Sequence, residues 1–290
     1  HQLLVRLRLH ELGDSLPDRG GGDGLLHIGE LDDIVTQLLL ARGVARDDLE
    51  RQRQPTLRGF LPDPSIFRDM DSAAERIAQA VLSGERVTIY GDYDVDGATS
   101  AALLIRLLRM LGVQAQYYIP DRLLEGYGPS GDALVSLRDS GASLVVTVDC
   151  GAQAFEALSM AHEAGLDVIV VDHHKCATEL PVAHSIVNPN RLDEEAGAAA
   201  HGHLAAVGVA WLLGAALIRT LRSRGYFTSR EEPKLLDLLD IVALGTVADV
   251  AQLKGLNRVR HIDPETGVVE AYGEVLKRVQ GACPSPRLGK

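Results

Sequence analysis

A regular alternation of β-branched runs and apolar helical segments, between residues 86 and 171, constrains the fold most strongly. Runs such as Leu144–Val148 have the length and composition of buried strands. Each run is followed by a stretch with helical apolar spacing. Strands that alternate with helices form a parallel sheet with helices on both faces. The sequence therefore predicts an α/β fold built on a mostly parallel sheet.

The predicted elements are four strands and three helices, followed by two further helices. In chain order they are strand 86–90, helix 99–111, strand 114–119, helix 131–140, strand 144–148, helix 152–164, strand 168–171, helix 205–221 and helix 232–244. Ligands of such an open sheet bind outside the carboxyl ends of the strands.

Four regions are predicted along the chain. Residues 1–30 form a polar, glycine-rich leader, and residues 31–82 have the proline-interrupted helical spacing of a small N-terminal cap. Residues 83–260 form the main α/β domain, and residues 261–290 are a tail without periodicity. Because the first residue is His1 rather than Met, we expect the chain to be a fragment.

Composition narrows the class of protein. Hydrophobic residues make up 46% and charged residues 24%, which is typical of a folded globular chain. No run reaches the roughly 20 apolar residues of a transmembrane helix, so we expect no membrane association and a cytoplasmic location. The three cysteines, Cys150, Cys176 and Cys283, form no C-x-x-C pair, and an odd count favours a reducing compartment.

Acidic and imidazole side chains follow the predicted strands. Carboxylates gathered at one sheet edge repel each other unless cations compensate, and oxygen-rich ligation with a minority of imidazole suits Mg²⁺ or Mn²⁺ better than Zn²⁺. Four of the acids would neutralise two divalent ions, which is the composition of a two-metal phosphoryl-transfer site. The residues concerned are Asp92, Asp94, Asp96, Asp149, Asp172, His173, His174 and Asp249.

Each motif also has an ordinary interpretation. The spacing of Asp92, Asp94 and Asp96 matches the start of an EF-hand loop, but the twelfth position is Leu103 instead of Glu, and a strand precedes the motif. A dinucleotide site is disfavoured because G-x-G-x-x-G is absent after the first strand. Asp149 and the two residues after it would, alone, be a simple turn. The joint occurrence of these motifs favours the metal site.

Four ordered motifs resemble those of a known family. Asp172-His173-His174 is the motif of the DHH phosphoesterases, and residues 91–100, 149–151 and 243–250 resemble the first, second and fourth motifs of RecJ-like exonucleases. Connecting stretches at 120–128 and 187–190 are also RecJ-like. The chain is thus similar, from about residue 31 to 258, to the RecJ-like single-strand-specific DNA exonucleases of the DHH family.

This resemblance implies a role for each site residue. Asp94, Asp96, Asp149, His173 and Asp249 would bind two divalent cations, Mn²⁺ or Mg²⁺, with Asp149 between the two and Asp92 as a further metal residue. His174 would contact the scissile phosphate, and Asp172 would orient it, so that Asp149, Asp172 and His174 form the catalytic set. The predicted substrate contacts, besides His174, are Arg122, Tyr127 and Asn188.

The implied activity is 5′-to-3′ hydrolysis of single-stranded DNA in repair and recombination. Two cations roughly 3.5–4 Å apart would activate water and bind the phosphate. A single-strand-binding protein or a helicase would be a candidate partner. The family also implies a DHHA1 domain and an OB-fold, which the tail at 261–290 does not resemble.

Two other functions stay open at this point. A related enzyme would cleave oligoribonucleotides or cyclic dinucleotides, and a relative of another class would be an inactive DNA-binding scaffold. Tyr90 stands where some family branches have His, which disfavours a pyrophosphatase. The net charge of −11 would repel a polyanion unless bound cations and a basic groove compensate. The arginines considered for that groove are Arg106, Arg109, Arg122, Arg219, Arg222, Arg224 and Arg230.

Overall fold

The computed structural model describes residues 34–53 and 55–258, together with the backbone of residues 261–262 and 269–270. It contains two compact units, which divide after Gln54. In the first unit, helices α1 (Ile34–Ala41) and α2 (Leu49–Arg53) flank a 3-10 turn at Arg46–Asp48. The Arg53 guanidinium donates a hydrogen bond of 3.1 Å to the Thr36 hydroxyl, which ties the two helices together.

The second unit contains all the elements of the predicted sheet. Its helices are α3 (Leu57–Phe60), α4 (Met70–Ser83), α5 (Val95–Met110), α6 (Gly131–Asp139), α7 (Phe155–Glu163), α8 (Ala196–Ala199), α9 (Ala206–Ser223) and α10 (Leu239–Ala248). Its strands are β1 (Val87–Gly91), β2 (Gln116–Tyr118), β3 (Leu144–Val148), β4 (Asp167–Val171) and β5 (Ser185–Val187), followed by the short pair β6 (His261–Ile262) and β7 (Val269–Glu270). Four 3-10 turns connect them, at Pro64–Ile66, Tyr226–Thr228, Leu235–Leu238 and Gly255–Arg258.

The first five strands form one parallel sheet in the order β2-β1-β3-β4-β5. Successive side chains of a strand point to opposite faces, so each strand contributes to two cores. Val146 of β3 packs in the core with α4, α5 and α9. Its neighbour Val145 packs in a second core with α6 and α7. Helices therefore cover both faces, and the predicted α/β class is confirmed.

Helix α9 crosses the larger core. By length and composition it could span a membrane, but 72% of it is buried inside the protein, and the core helix of a soluble protein passes the same test. Leu212 and Leu213 are fully buried within it. We interpret α9 as a core helix, as its predicted position after the sheet implies.

Three elements differ from the sequence prediction. Helix α5 begins at Val95 instead of residue 99, because Asp94 caps it by accepting a hydrogen bond of 2.9 Å from the Gly97 amide. The helix predicted at 232–244 is a 3-10 turn followed by α10, since Pro233 disfavours helical backbone before it. Strand β5 was not predicted, because three residues are too few to show a period.

The domain boundaries stay predictions. Helix α4, assigned to the cap at 31–82, shares the core of the main sheet through Ile77 and other residues. The leader at 1–30 and all but the four strand residues of the tail at 261–290 lie outside the described residues.

Replacing Leu107 by Ala tests this core. The side chain is fully buried in the larger core, where it lies next to Gly214 of α9, so its loss should lower the free energy of unfolding by about 2–5 kcal/mol. Leu123→Ala is the matched control, because Leu123 is 92% exposed and its loss should cost less than about 0.5 kcal/mol. Urea denaturation of the full chain measures both, and equal losses would contradict the assigned core.

Candidate metal centre

The register of the sheet brings the predicted site residues to one edge. Gly91, Val148 and Val171, the last residues of β1, β3 and β4, lie side by side. The residue that follows each of them is an aspartate: Asp92, Asp149 and Asp172. All three are buried, at 3%, 1% and 1% exposure. Parallel strands thus place three carboxylates from distant parts of the chain at one sheet edge.

Two more carboxylates lie at the start of α5. Asp94 is the exposed N-cap, whereas Asp96 is 1% exposed. The turn between β1 and α5 is tight, and a Cβ on Gly97 would lie 2.6 Å from the Asp92 carbonyl oxygen. Only glycine therefore fits at position 97 without displacing the main chain that carries Asp92.

The Asp96 carboxylate caps a second helix. Its Oδ2 accepts a hydrogen bond of 2.6 Å from the Ala206 amide, and its Oδ1 accepts one of 3.0 Å from the Val207 amide. These amides belong to the first turn of α9, where the helix dipole favours negative charge. Asp96 is therefore held by α9 as well as by its own helix.

Asp149 has an unusual backbone. Its φ of 62° lies in the left-handed region, which costs a non-glycine residue energy and is often found at functional sites. The carboxylate Oδ1 lies 3.2 Å from Nε2 of His173 and 3.8 Å from Nδ1 of His174. The strained turn thus holds the carboxylate between the two imidazoles.

The two histidines have different surroundings. Nδ1 of His173 lies 3.1 Å from the Leu204 carbonyl oxygen and donates to it, which directs Nε2 toward Asp149 and Asp96. His174 is half-exposed, and its Nδ1 lies 2.8 Å from Oδ1 of Asp172. His173 is therefore directed into the acidic cluster, and His174 borders the solvent.

Asp172 is saturated with donors. Its Oδ1 accepts hydrogen bonds from the amides of His173 and His174, at 2.7 and 3.1 Å, and its Oδ2 accepts one of 3.0 Å from the Ala152 amide. Burial opposes ionisation, but the bonds from His174 and from these amides outweigh it and hold the pKa of Asp172 below its usual value. Its carboxylate orients the histidine pair and has few lone pairs left for a cation.

Asp96 is partly compensated by the α9 amides, but its pKa and those of three other acids are still raised. Burial, followed by the neighbouring carboxylates, raises the pKa of Asp92, Asp149 and Asp249, and it raises that of Asp96 to about 6. For His173, burial lowers the pKa, but the surrounding carboxylates outweigh this and raise it to about 9. The raised pKa values of the acids and of His173 both indicate that negative charge at this edge of the sheet is not fully compensated.

Three overlapping groups have ligand atoms within 4.8 Å of one another and could hold a metal ion. They are Asp92 with Asp94 and Asp149, Asp96 with His173 and Asp249, and Asp149 with His173 and His174. Among the described residues, Oδ1 of Asp92 is buried without a hydrogen-bond partner, and the buried Oδ1 of Asp149 accepts no hydrogen bond of good geometry, although Nε2 of His173 lies 3.2 Å from it. Buried carboxylate oxygens without donors fit cation ligands. The residues present therefore fit divalent cations.

Comparison with known proteins agrees with this geometry. Residues 86–246 match the family model described as the DHH family, N-terminal domain, which is more than half of the chain. The chain belongs to the DHH family. This confirms the resemblance of the four sequence motifs.

DHH relatives include named nucleases. The single-stranded-DNA-specific exonuclease RecJ of Bacillus subtilis is 39% identical over 234 residues, which cover 81% of this chain and 27% of that protein. RecJ of Dickeya dadantii is 41% identical over 253 residues, which cover 86% of this chain and 40% of that protein. The chain thus spans less than half the length of these relatives.

Solved structures of RecJ share the fold. A crystal structure of exonuclease RecJ bound to manganese has a TM-score of 0.57 and 35% identity, covering 69% of this chain and 46% of that one. RecJ of Thermus thermophilus in complex with Mn²⁺ has a TM-score of 0.59 and 31% identity, covering 77% of this chain and 29% of that one.

Two of the predicted substrate residues border the site. The Tyr127 hydroxyl lies 3.2 Å from the Asp149 carbonyl oxygen and 3.3 Å from Nδ1 of His174. Its ring stands perpendicular to that of Tyr93, and the Arg122 guanidinium lies 5.1 Å from the centre of the Tyr93 ring. The sequence analysis missed Tyr93, although its place between two of the acids was a usable signal.

Two sequence interpretations need correction. Asn188 was predicted to bind substrate, but it is fully buried and its amide donates to the His174 carbonyl oxygen, so its role is internal. Three of the arginines considered for a basic groove are paired with acids: Arg219 with Asp63 and Asp71, Arg222 with Glu232, and Arg224 with Glu75. A fourth, Arg230, stacks over Tyr226.

Replacing Asp92 by Asn tests the electrostatic compensation. Because the charge is buried and Oδ1 has no partner, its removal should raise the melting temperature in EDTA by roughly 2–4 °C for each kcal/mol of relieved repulsion. The same change should reduce the stabilisation by added Mn²⁺. Calorimetry of the full chain with and without Mn²⁺ measures both, and a lower melting temperature in EDTA would contradict the interpretation.

Proposed function

We propose that this chain hydrolyses phosphodiester bonds of single-stranded DNA from the 5′ end, with two divalent cations, Mn²⁺ or Mg²⁺, bound at the metal centre. The observation that carries the proposal is the buried acidic cluster, in which Oδ1 of Asp92 has no hydrogen-bond partner and Oδ1 of Asp149 faces the imidazole of His173. RecJ relatives named as single-stranded-DNA-specific exonucleases support the substrate, RecJ structures bound to Mn²⁺ support manganese, and the oxygen-rich ligand set suits Mg²⁺ as well.

The ligand groups suggest how the cations would be shared. Asp92 and Asp94 would hold one cation, and Asp96, His173 and Asp249 would hold the other, with Asp149 between them. The hydrogen bond from Nδ1 of His173 to the Leu204 carbonyl supports this assignment, since it directs Nε2 toward the ion. Cations at these positions would supply Lewis-acid activation of water and compensation of the phosphate charge.

His174 is proposed to contact the scissile phosphate. The hydrogen bond with Asp172 is the main cause of the raised pKa of His174. It favours the protonated form of the ring, in which both nitrogens are donors. Because the ring is half-exposed at the rim of the cluster, a phosphate oxygen can reach it. Asp172 would act through His174 by fixing the orientation of its ring.

The strand would lie across an aromatic surface beside the metal centre. Tyr93 contacts both other residues of this surface, since its ring is perpendicular to that of Tyr127 and lies under the Arg122 guanidinium, and Tyr127 is 56% exposed. Aromatic faces bind single-stranded bases by stacking, while an arginine contacts the backbone.

The RecJ relatives favour DNA exonucleolysis over oligoribonucleotide or cyclic-dinucleotide cleavage and over an inactive scaffold. A cytoplasmic location and a single-strand-binding protein or helicase partner belong to the same proposal.

Replacing Asp149 by Ala tests the chemistry. Loss of a ligand shared by both cations should remove several kcal/mol of transition-state stabilisation, and the rate should fall about 10³-fold. Release of nucleotides from 5′-labelled single strands in Mn²⁺ measures this rate. Asp139→Asn is the control, since Asp139 is an exposed acid at the far end of α6. Equal activity of the two variants would refute the assignment, provided that circular dichroism shows both folded.

Replacing Tyr127 by Ala and by Phe tests the substrate surface. Loss of the ring should weaken binding by about 1–3 kcal/mol, which raises KM on a long single strand with a smaller effect on kcat. Phe keeps the ring and should keep KM near its original value. Steady-state kinetics on a long strand and on a dinucleotide separate these effects. If Ala leaves KM on the long strand unchanged, Tyr127 has no stacking role.

A further inference from the structure

The chain contains three asparagines, Asn188, Asn190 and Asn257. The side-chain amide of each donates hydrogen bonds to main-chain carbonyl oxygens near the metal centre. Asn188 and Asn257 are 0% and 3% exposed, so their amides have little access to solvent. Three amides used in the same way around one site suggest a shared role.

The first two asparagines hold the histidine pair. Nδ2 of Asn188 donates to the His174 carbonyl oxygen at 2.8 Å, and Nδ2 of Asn190 donates to the His173 carbonyl oxygen at 2.5 Å. Oδ1 of Asn188 also accepts a hydrogen bond of 2.8 Å from the Asn190 amide. Two consecutive carbonyl groups are therefore bound by two side chains, and the first of these also accepts a hydrogen bond from the main-chain N–H of the second asparagine.

Asn190 also binds the segment before α9. Its Nδ2 donates a second hydrogen bond, of 3.1 Å, to the Gly202 carbonyl oxygen. Residues 202–207 then use main-chain atoms to bind the His173 ring, through the Leu204 carbonyl, and the Asp96 carboxylate, through two amides. Asn190 thus connects the main chain of His173 with the segment that orients its ring.

Asn257 connects the same segment with the third element of the site. Its Nδ2 donates to the His203 carbonyl oxygen at 2.8 Å and to the Gln252 carbonyl oxygen at 3.1 Å. Gln252 lies three residues beyond Asp249, after a turn in which Val250 has a positive φ of 57°. Hydrogen bonds to residues 202–207 therefore connect the parts of the chain that carry Asp96, His173 and Asp249, the three members of one ligand group.

The space around these amides is closely filled. A Cβ on Gly202 would lie 2.4 Å from Oδ1 of Asn190, and one on Gly255 would lie 3.0 Å from Nε2 of His203. Only glycine therefore fits at position 202 without displacing the Asn190 side chain. A buried carbonyl that lost its donor would also stay unpaired, at a cost of about 1–3 kcal/mol.

We propose that Asn190 and Asn257 are positioning residues, which keep Asp96, His173 and Asp249 within cation-binding distance of each other, while Asn188 holds the main chain of the neighbouring His174. The inference rests on the proposed function. An asparagine suits this task because its amide donates two hydrogen bonds without adding charge to an acidic cluster. An aspartate would add a charge, and an apolar residue would leave the carbonyls without donors.

The test compares Asn190→Leu and Asn257→Leu with Tyr226→Phe in the full chain. Leucine has the shape of asparagine but no donors. The control removes one hydrogen bond of 2.7 Å, from the Tyr226 hydroxyl to the Leu111 carbonyl oxygen at the far end of α5. Electron paramagnetic resonance of free Mn²⁺ gives the dissociation constant well below the melting temperature, and calorimetry in EDTA gives the stability.

We expect the two asparagine variants to bind Mn²⁺ roughly 10–100-fold more weakly, as loss of residues that orient metal ligands commonly does. Tyr226→Phe should lose stability but keep its affinity. Unchanged affinity in the folded asparagine variants would overturn the inference and leave a structural role only. Absence of Mn²⁺ binding by the unmodified chain would instead overturn the proposed function, and this inference with it.

Gly202→Ala provides a second route if the leucine variants do not fold. It keeps all three asparagines but displaces the Asn190 amide, because the added Cβ overlaps Oδ1. The expected result is the same weakening of Mn²⁺ binding. Full affinity in the folded Gly202→Ala protein would contradict a positioning role for Asn190.

Discussion

Electrostatic repulsion among the carboxylates at the carboxyl edge of the sheet is the constraint on which the rest of the structure depends. The chain compensates some of this charge internally. Asp172 receives main-chain amides and a histidine, and Asp96 receives the first amides of α9. Asp92 keeps a buried oxygen without a donor, and the buried Oδ1 of Asp149 receives no main-chain amide and faces the imidazole of His173. Because buried charge without compensation is costly, this difference between neighbouring acids separates orienting residues from proposed cation ligands.

Main-chain groups, more than side chains, hold the site in shape. The parallel register places the strand ends together, and the left-handed turn at Asp149 holds its carboxylate between the imidazoles. The segment 202–207 contributes a carbonyl and two amides. Since these groups belong to the core of the sheet and to α9, the site geometry is coupled to the stability of the fold. The aromatic surface at Tyr93 and Tyr127 is more open to solvent, with Tyr93 half-buried and Tyr127 exposed.

Much of the fold could be predicted because its signals are local. Strand β3 was predicted at its observed bounds, since a buried run of β-branched residues has few alternatives. The start of α5 was placed four residues late, because a segment of caps and acids has no apolar period to read. Asn188 was interpreted as a substrate contact, although its amide is turned inward. The arginines near α9 were candidates for a basic groove. The structure shows them paired with acids that are distant in sequence, such as Asp63 and Glu75.

By itself the sequence determined the α/β class, the family and the set of acids and histidines, because periodicity and motifs are properties of neighbouring residues. Tertiary structure alone decided which of those acids are already compensated. That depends on donors from elsewhere in the chain, such as the α9 amides that reach Asp96 across more than 100 positions. It also revealed the asparagine contacts, since a hydrogen bond between a side chain and a distant carbonyl leaves no periodic trace in the sequence.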